Sequence, residues 1–508
     1  MNPYLDGAIV VDCTKSANLK GVRAQVIRPL APMAIHNELI QRDYPATMFD
    51  YFDDWDNDIL IQSIVLWCKA KNVTKPLLLS TSLFNRFLVT KGNKLYDFLS
   101  KFKKQFPDSL YFTGGPIAVL DPECDIVPDG VFRGRSLHLF THWLDNPNEP
   151  LLNTITINGD CTVYHRAGTD IVEKPIVPIL YDDYCLTEQD IVCFETRLGC
   201  KFNCTFCNFE FRNAKNTQDA EPKDLKHFFE TAKNKYGVQH FSCVDDTFNE
   251  DDVKIENLLS AVTQLDYQPK IVGYTRFDLL KARPHQAEML DRCGFHGHYF
   301  GIETLHREAS KRIRKGIERV SSLNYLQELR EKYPHWWICS GYIVGLPPEP
   351  IEHVLDVWEE LTDRKLLDSA IIQPLGVYAV EDNDLNYAEI NKNPAKFGIT
   401  IKPLKAGSKS CELEWEHDVM DRKLAGVYSD RIASRIFKKG ITVLDSWEAI
   451  SRRALGLSDL LSVEGKKEFK ESVLKQGKKF YYSNEFYASS NDHVTRYIKL
   501  KQDYISSL

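Results

Sequence analysis

Between residues 190 and 385 the chain offers six strand-like runs, each except the last followed by a helix-like one. The series runs IVCFETRLG, HFSCVDD, IVGYTRFDLL, HGHYFGIET, WICSGYIVGLP and AIIQPLGVYAV, with apolar-periodic segments such as IENLLSAVTQL and VLDVWEELTDR between them. Strands separated by helices must pair in parallel, with the helices covering the sheet. A six-fold series of this kind predicts a partial (β/α)6 TIM barrel, whose site lies at the carboxyl ends of its strands.

The region before it has the same rhythm in a smaller format. AIVVD, PLLLSTSLF, LYFTGGPIAV and GVFRGRS read as strands, and DILIQSIVLWCKAKNV, KLYDFLSKFKKQF and LHLFTHWLDN as helices. The expected fold class is therefore α/β: a Rossmann-like layer over 1–150, a linker over 151–189 marked by EKPIVPILYDD, the barrel over 190–385, and a mainly helical region over 386–508. Composition sets the outer limits. With 508 residues, 43% hydrophobic and 27% charged, the chain is globular and long enough for more than one core. A formal charge of −7 excludes a general polyanion binder, so no nucleic-acid partner is expected. No apolar run reaches the roughly 18 residues of a membrane span, and MNPYLDGAIVVD lacks the pattern of a secretory leader. The expectation is a cytoplasmic enzyme without a membrane partner.

Thirteen cysteines, an odd number, fit a reduced compartment better than a disulfide framework. Three stand together as Cys200-Lys-Phe-Asn-Cys204-Thr-Phe-Cys207, a CxxxCxxC run placed just after the first barrel strand. Three thiols so close form a metal or cluster ligand set. A zinc ion in a closed structural site takes four protein ligands, and no fourth Cys or His lies immediately beside this loop; a structural zinc scaffold stays open if a distant ligand completes it. Thiolates also hold iron–sulfur cubanes, and three of them leave one iron corner open for a cosubstrate.

CxxxCxxC with an aromatic residue, Phe206, before the last Cys resembles the radical S-adenosylmethionine superfamily. That resemblance implies a [4Fe–4S] cluster on Cys200, Cys204 and Cys207, S-adenosylmethionine as cosubstrate, a 5′-deoxyadenosyl radical that abstracts hydrogen from substrate, and an electron donor such as flavodoxin or ferredoxin. It also implies roles residue by residue. Asp245 and Asp246, ending the second strand, match the acidic end that receives the methionine ammonium; Glu303 matches the position near the ribose hydroxyls. Gly341 and Gly345 match the segment passing close to adenine, and Arg276 and Lys315 are candidate partners for the methionine carboxylate.

Residues 8–147 resemble the cobalamin-binding-like domain that precedes the barrel in one subgroup of these enzymes. Two departures stand out. The acidic turn that often ends that domain is Gly134-Arg135-Ser136 here, and the Asp-x-His-x-x-Gly sequence that supplies a cobalt ligand is absent. Cobalamin is accordingly not expected. The cysteines after the cluster, Cys243, Cys293, Cys339 and Cys411, are isolated, so no second cluster is expected either. A front domain without its histidine, a barrel and a late lone Cys are similar to the peptide epimerases of ribosomal natural-product pathways. That similarity implies a ribosomal precursor peptide as substrate and inversion at Cα from L to D. Cys411 is the first candidate hydrogen donor, in KAGSKSCELEW, and Cys339 the second. The alternative reaction is cobalamin-dependent radical methyl transfer.

Overall fold

The computed structural model describes residues 2–13, 27–81, 89–115, 124–134, 137–147, 154–157, 161–165, 174–209, 214, 217–379, 388–402, 412–443, 447–457 and 484–508. It divides into two compact units: Met1–Cys193 with Glu230–Val238 and Ser490–Leu508, and Phe194–Phe229 with Gln239–Ser489. Among the described residues no helix is long and apolar enough to cross a membrane.

The strands of the first unit are β1 (Gly7–Asp12), β2 (Ile27–Arg28), β3 (Ala46–Phe49), β4 (Pro76–Thr81), β5 (Tyr111–Gly115), β6 (Gly130–Arg133), β7 (Thr154–Ile157), β8 (Cys161–His165) and β9 (Ile191–Phe194), whose last residue opens the second unit. Seven form one sheet in the order β3-β1-β4-β5-β6-β8-β7. All neighbours are parallel except the β7–β8 pair, and β2 pairs with β9 instead. The first five parallel strands thus follow the doubly wound order second-first-third-fourth-fifth, which places a ligand crevice at the carboxyl ends of the central strands. Small residues sit at those ends: Ser80 and Thr81 on β4, and Thr113, Gly114 and Gly115 on β5. The segments that continue from β1, β4 and β5 begin at residues 14, 82 and 116, outside the described set.

Local chemistry sets the helices of this unit. Asp56 caps the helix Asn57–Lys71 by accepting from the Asp58 and Ile59 amides, and Asn72 closes it in the left-handed region at φ 56°. The core gathers Ile9, Phe49, Trp55, Phe98 and Phe102 around edge-to-face rings, and the C-terminal helix Asn484–Ser506 completes it with Val494, Tyr497 and Ile505. Two features differ from the sequence reading. Residues 151–189, read as a linker, supply β7 and β8, whose β-branched runs flank Asn158-Gly159-Asp160, a hairpin signal that the nearby prolines obscure. The end of the region set apart as 386–508 folds into the first unit, because Val494, Tyr497 and Ile505 share one helix face.

That helix also carries charge into the interior. Lys501, with no exposed side-chain surface, reaches Asp183 Oδ1 at 2.6 Å and Thr47 at 3.0 Å, while His36 approaches the same carboxylate at 3.4 Å. Beside them Arg28 pairs with Asp50 at 2.8 Å and Asp190 at 3.2 Å, and His493 reaches Asp190 at 3.2 Å. Burial alone would raise the Asp183 and Asp190 carboxyls, but Lys501 and His36 on one, and Arg28 and His493 on the other, hold both below the usual carboxylate range. Groups depressed in the folded state stabilise it above their unfolded pKa, about 3.9, and lose that contribution as pH falls toward the folded values. Urea titrations from pH 6 down to pH 3 should therefore show first-unit stability dropping as pH falls below about 4; a flat profile there would contradict the account.

In the second unit, β10 (His240–Cys243), β11 (Lys270–Thr275), β12 (Phe295–Glu303), β13 (Trp337–Val344) and β14 (Ser369–Pro374) pair in succession, all parallel. Phe194, at the end of β9, accepts the Val244 amide at 3.0 Å. Helices occupy every crossover: Asp252–Val262, then Phe277–Ala282 with His285–Arg292, then Arg307–Arg312 with Arg319–Lys332, then Ile351–Asp363. This is the expected α/β class, a Rossmann-like layer followed by a partial barrel. Past residue 386 come β15 (Thr400–Ile401) and β16 (Trp415–Glu416), an antiparallel pair, and β17 (Thr442–Val443), which adds in parallel beyond β14 and extends the sheet past the expected sixth strand.

Candidate active site

The loop after β9 is anchored at its root by one carboxylate. Asp245, at the end of β10, accepts from the Thr196 amide at 2.8 Å, the Thr196 hydroxyl at 2.5 Å and the Arg197 amide at 3.4 Å. Its other contact is the ammonium of Lys254 at 2.8 Å, and neither side chain has exposed surface. The sequence reading assigns Asp245 to a substrate ammonium; in the structure its oxygens are committed to the loop and to Lys254, so it positions the loop. Asp246, beside it, is half-buried, and Asp251 caps the following helix. Arg197 fastens the same loop from outside, donating to Asp219 at 2.5 and 3.0 Å and to Asp251 at 2.6 Å.

On this footing stand the three cysteines. Cys200 and Cys204 are buried and Cys207 half-buried. Each sulfur has a polar neighbour: the Thr247 hydroxyl lies 3.3 Å from Cys200 Sγ, Arg276 Nη1 donates to Cys204 Sγ at 3.4 Å, and the Phe209 amide donates to Cys207 Sγ at 3.4 Å. Burial raises the Cys200 thiol, partly offset by Thr247, and pushes Cys207 up to about 12. Thiols so held ionise only when a metal takes the place of the proton. Among the described residues no group of three His, Cys, Asp or Glu side chains is gathered to hold a single metal ion. A cubane asks for something else, since each thiolate binds a separate iron. Three thiols met by a hydroxyl, a guanidinium and an amide suit an anionic iron–sulfur cluster, so the residues fit that group.

Facing the loop is the mouth formed by β12 and β13. The register slips between Gly301 and Glu303, a β-bulge that leaves Glu303 at φ 64°. Such a conformation is strained for a non-glycine residue and re-aims its side chain. Burial raises the Glu303 carboxyl, with Lys315 at 3.8 Å and Arg276 offsetting only in part. Lys315 is itself held by the Gly301 carbonyl at 2.7 Å. A Cβ on Gly341 would come within 2.1 Å of the Tyr299 hydroxyl oxygen, and one on Gly345, at φ 99°, within 2.6 Å of the Trp415 ring. Both glycines thus already have protein neighbours that demand small residues, a nearer cause than the adenine of the sequence reading.

The structure brings Cys204, Arg276, Glu303 and Lys315 into one connected set through Cys204–Arg276 and Glu303–Lys315, with Arg276 contributing to the field at Glu303 and Cys200 to the field at Arg276. It does not bring Cys339 there as a reactive thiol. Cys339 lies two positions before Gly341 on β13, has no exposed surface, and is pushed up to about 12 by burial, with a bond to Ser369 as a partial offset. That environment is one of packing. Cys411 lies outside the described residues, and Phe206 is half-buried within the loop. Sequence reasoning missed two supports. Phe202 presents its ring to the Arg276 guanidinium at 3.9 Å. Residues beyond the barrel clasp the cysteine loop: Asn208 accepts from the Ala388 amide and Asn391 side chain, each at 2.9 Å, and Thr205 O accepts from Ile390 at 3.0 Å. No spacing in the sequence links 208 to 388–391; only the fold does.

Residues 195–361 match the model of the Radical SAM superfamily. No curated protein sequence matches the chain. Among solved structures, the radical S-adenosylmethionine methyltransferase TsrM from Kitasatospora setae with cobalamin and [4Fe–4S] cluster bound is 12% identical at TM-score 0.55, over 99% of this chain and 100% of that one. The same enzyme with tryptophan substrate and the S-adenosylmethionine analogue aza-SAM is 12% identical at TM-score 0.52, over 79% of each chain. The cobalamin-dependent S-adenosylmethionine radical enzyme OxsB with aqua-cobalamin is 12% identical at TM-score 0.50, over 77% of this chain and 55% of that one; the chain spans about half of OxsB. At such identity the likeness is one of fold.

Proposed function

Because the chain carries a radical S-adenosylmethionine domain over residues 195–361, we propose that Cys200, Cys204 and Cys207 hold a [4Fe–4S] cluster whose open iron takes S-adenosylmethionine. When bound, the reduced cluster would supply one electron to the sulfonium, whose cleavage would give methionine and a 5′-deoxyadenosyl radical. The chain's own residues hold, orient and seal. Asp245 and Arg197 fix the cysteine loop, Glu303 offers a carboxylate to hydroxyl donors at the mouth, and Tyr299, half-buried, fills the space over Gly341. The observation that carries this reading is the set of three loop thiols, each met by a polar neighbour, at the carboxyl ends of parallel strands.

For the reaction, methyl transfer with a corrinoid in the first unit has more support than Cα epimerisation. The doubly wound strand order with small residues at the carboxyl ends of β4 and β5 suits close approach of a flat cofactor, and the full-length fold likeness is to an enzyme described as a methyltransferase. With no Asp-x-His-x-x-Gly sequence, packing would hold the corrinoid. Epimerisation needs a thiol that can return hydrogen; of the cysteines after the cluster, Cys243, Cys293 and Cys339 have no exposed surface, and Cys411 is the candidate that supports that second reading. Either reaction would act on a peptide and draw its electron from a carrier such as flavodoxin or ferredoxin. Anaerobic reconstitution with hydroxocobalamin separates them. Near-stoichiometric corrinoid after gel filtration, and product gaining a methyl group from labelled S-adenosylmethionine, is the expected result. No retained corrinoid, with an inverted residue carrying solvent deuterium, would establish epimerisation instead. One zinc per chain and no sulfide would return the chain to the scaffold class.

A further inference from the structure

The surroundings of Arg276 direct it to sulfur. It follows β11 directly, with its amide donating to Asn249 Oδ1 at 2.7 Å and its carbonyl accepting from Asn249 Nδ2 at 3.0 Å. Its guanidinium plane lies over the Phe202 ring, 3.9 Å from the centroid. Nε and Nη2 grip the Asp278 carboxylate at 3.0 and 2.6 Å, and Nη2 also reaches the Arg314 carbonyl at 3.4 Å. The remaining arm, Nη1, points at Cys204 Sγ from 3.4 Å. A planar fork stacked on one face and gripped on two nitrogens has its third direction fixed. Reaching a substrate carboxylate with that arm would break the stack or the Asp278 pair.

We infer that Arg276 is a positioning residue for the cluster, donating to the Cys204 thiolate and holding the cluster's reduction potential up, with Asp278 and Phe202 fixing its direction. The inference rests on the reading of Cys204 as an iron ligand. Its physical basis is that reduction adds negative charge to the cluster, and a cationic donor at a ligand sulfur stabilises the more negative state more strongly.

The test is a redox titration of the full-length reconstituted protein, followed by paramagnetic resonance without S-adenosylmethionine, after iron and sulfide have been counted for each variant. Arg276→Gln should lower the reduced-to-oxidised ratio at a fixed potential at least about tenfold, equivalent to about 59 mV for a one-electron couple. Arg276→Lys, which keeps charge but loses the fork, and Phe202→Leu, which keeps the arginine but removes its platform, should shift it the same way by less. These two decide the matter if Arg276→Gln does not load. Loaded variants with an unshifted midpoint overturn the inference, and an accompanying tenfold loss of S-adenosylmethionine affinity would assign Arg276 to the carboxylate. Wild-type protein that forms no cluster overturns the ligand reading itself, a distinct outcome.

Discussion

Cys204→Ala is expected to eliminate both the iron–sulfur cluster and reductive cleavage of S-adenosylmethionine. Cys204 is the middle member of the trio, buried and aligned with Arg276, and its loss leaves two thiols for a cubane that already has an unligated corner. Changes one shell out from a metal commonly cost roughly 10–100-fold, so removing a ligand should lower 5′-deoxyadenosine formation by more than about a hundredfold. Cys200→Ala and Cys207→Ala should behave alike, whereas Cys339→Ala should keep full iron and sulfide, since that thiol is sealed within β13. Wild-type iron content in Cys204→Ala, or its loss in Cys339→Ala, would contradict the assignment.

The second large effect lies in the first unit. Lys501→Met keeps the length of the side chain but deletes the ammonium that meets Asp183 at 2.6 Å and Thr47 at 3.0 Å. Asp183 would remain buried with its charge supported, among the described residues, by Thr47, the Met48 amide and His36. Removing one partner of a buried pair typically costs about 3–5 kcal/mol, because the other charge is left without compensation. Denaturant titration should show that loss in the first-unit transition. Adding Asp183→Asn to Lys501→Met should recover part of it, the signature of a coupled pair. A single-variant loss below about 1 kcal/mol, or a purely additive double variant, would show that Lys501 does not hold this carboxylate.

The regular parts of the fold were legible because their burial leaves a plain imprint. β1, buried along its length, reads as GAIVVD, and the βα rhythm from 190 to 385 follows from parallel pairing. The cysteine trio was legible because three thiols within one loop are uncommon by chance. What escaped depends on distance along the chain. The His36, Thr47, Asp183 and Lys501 cluster joins residues hundreds of positions apart, and nothing about Lys501 in YIKLKQD marks it as buried. Asp245 shows the limit for site residues: its place at a strand end is right for a ligand-binding carboxylate, yet Thr196 and Lys254 occupy its oxygens. Glu303 shows the converse, since its bulge and left-handed backbone, invisible in YFGIET, are what turn it into the mouth.

The most direct measurement is Mössbauer and paramagnetic resonance spectroscopy of anaerobically reconstituted protein, with product analysis after dithionite reduction in the presence of S-adenosylmethionine. A cubane close to full occupancy, perturbed by S-adenosylmethionine and accompanied by 5′-deoxyadenosine, is the predicted result. Protein that takes up zinc or scattered iron without sulfide, and releases no 5′-deoxyadenosine, would contradict it.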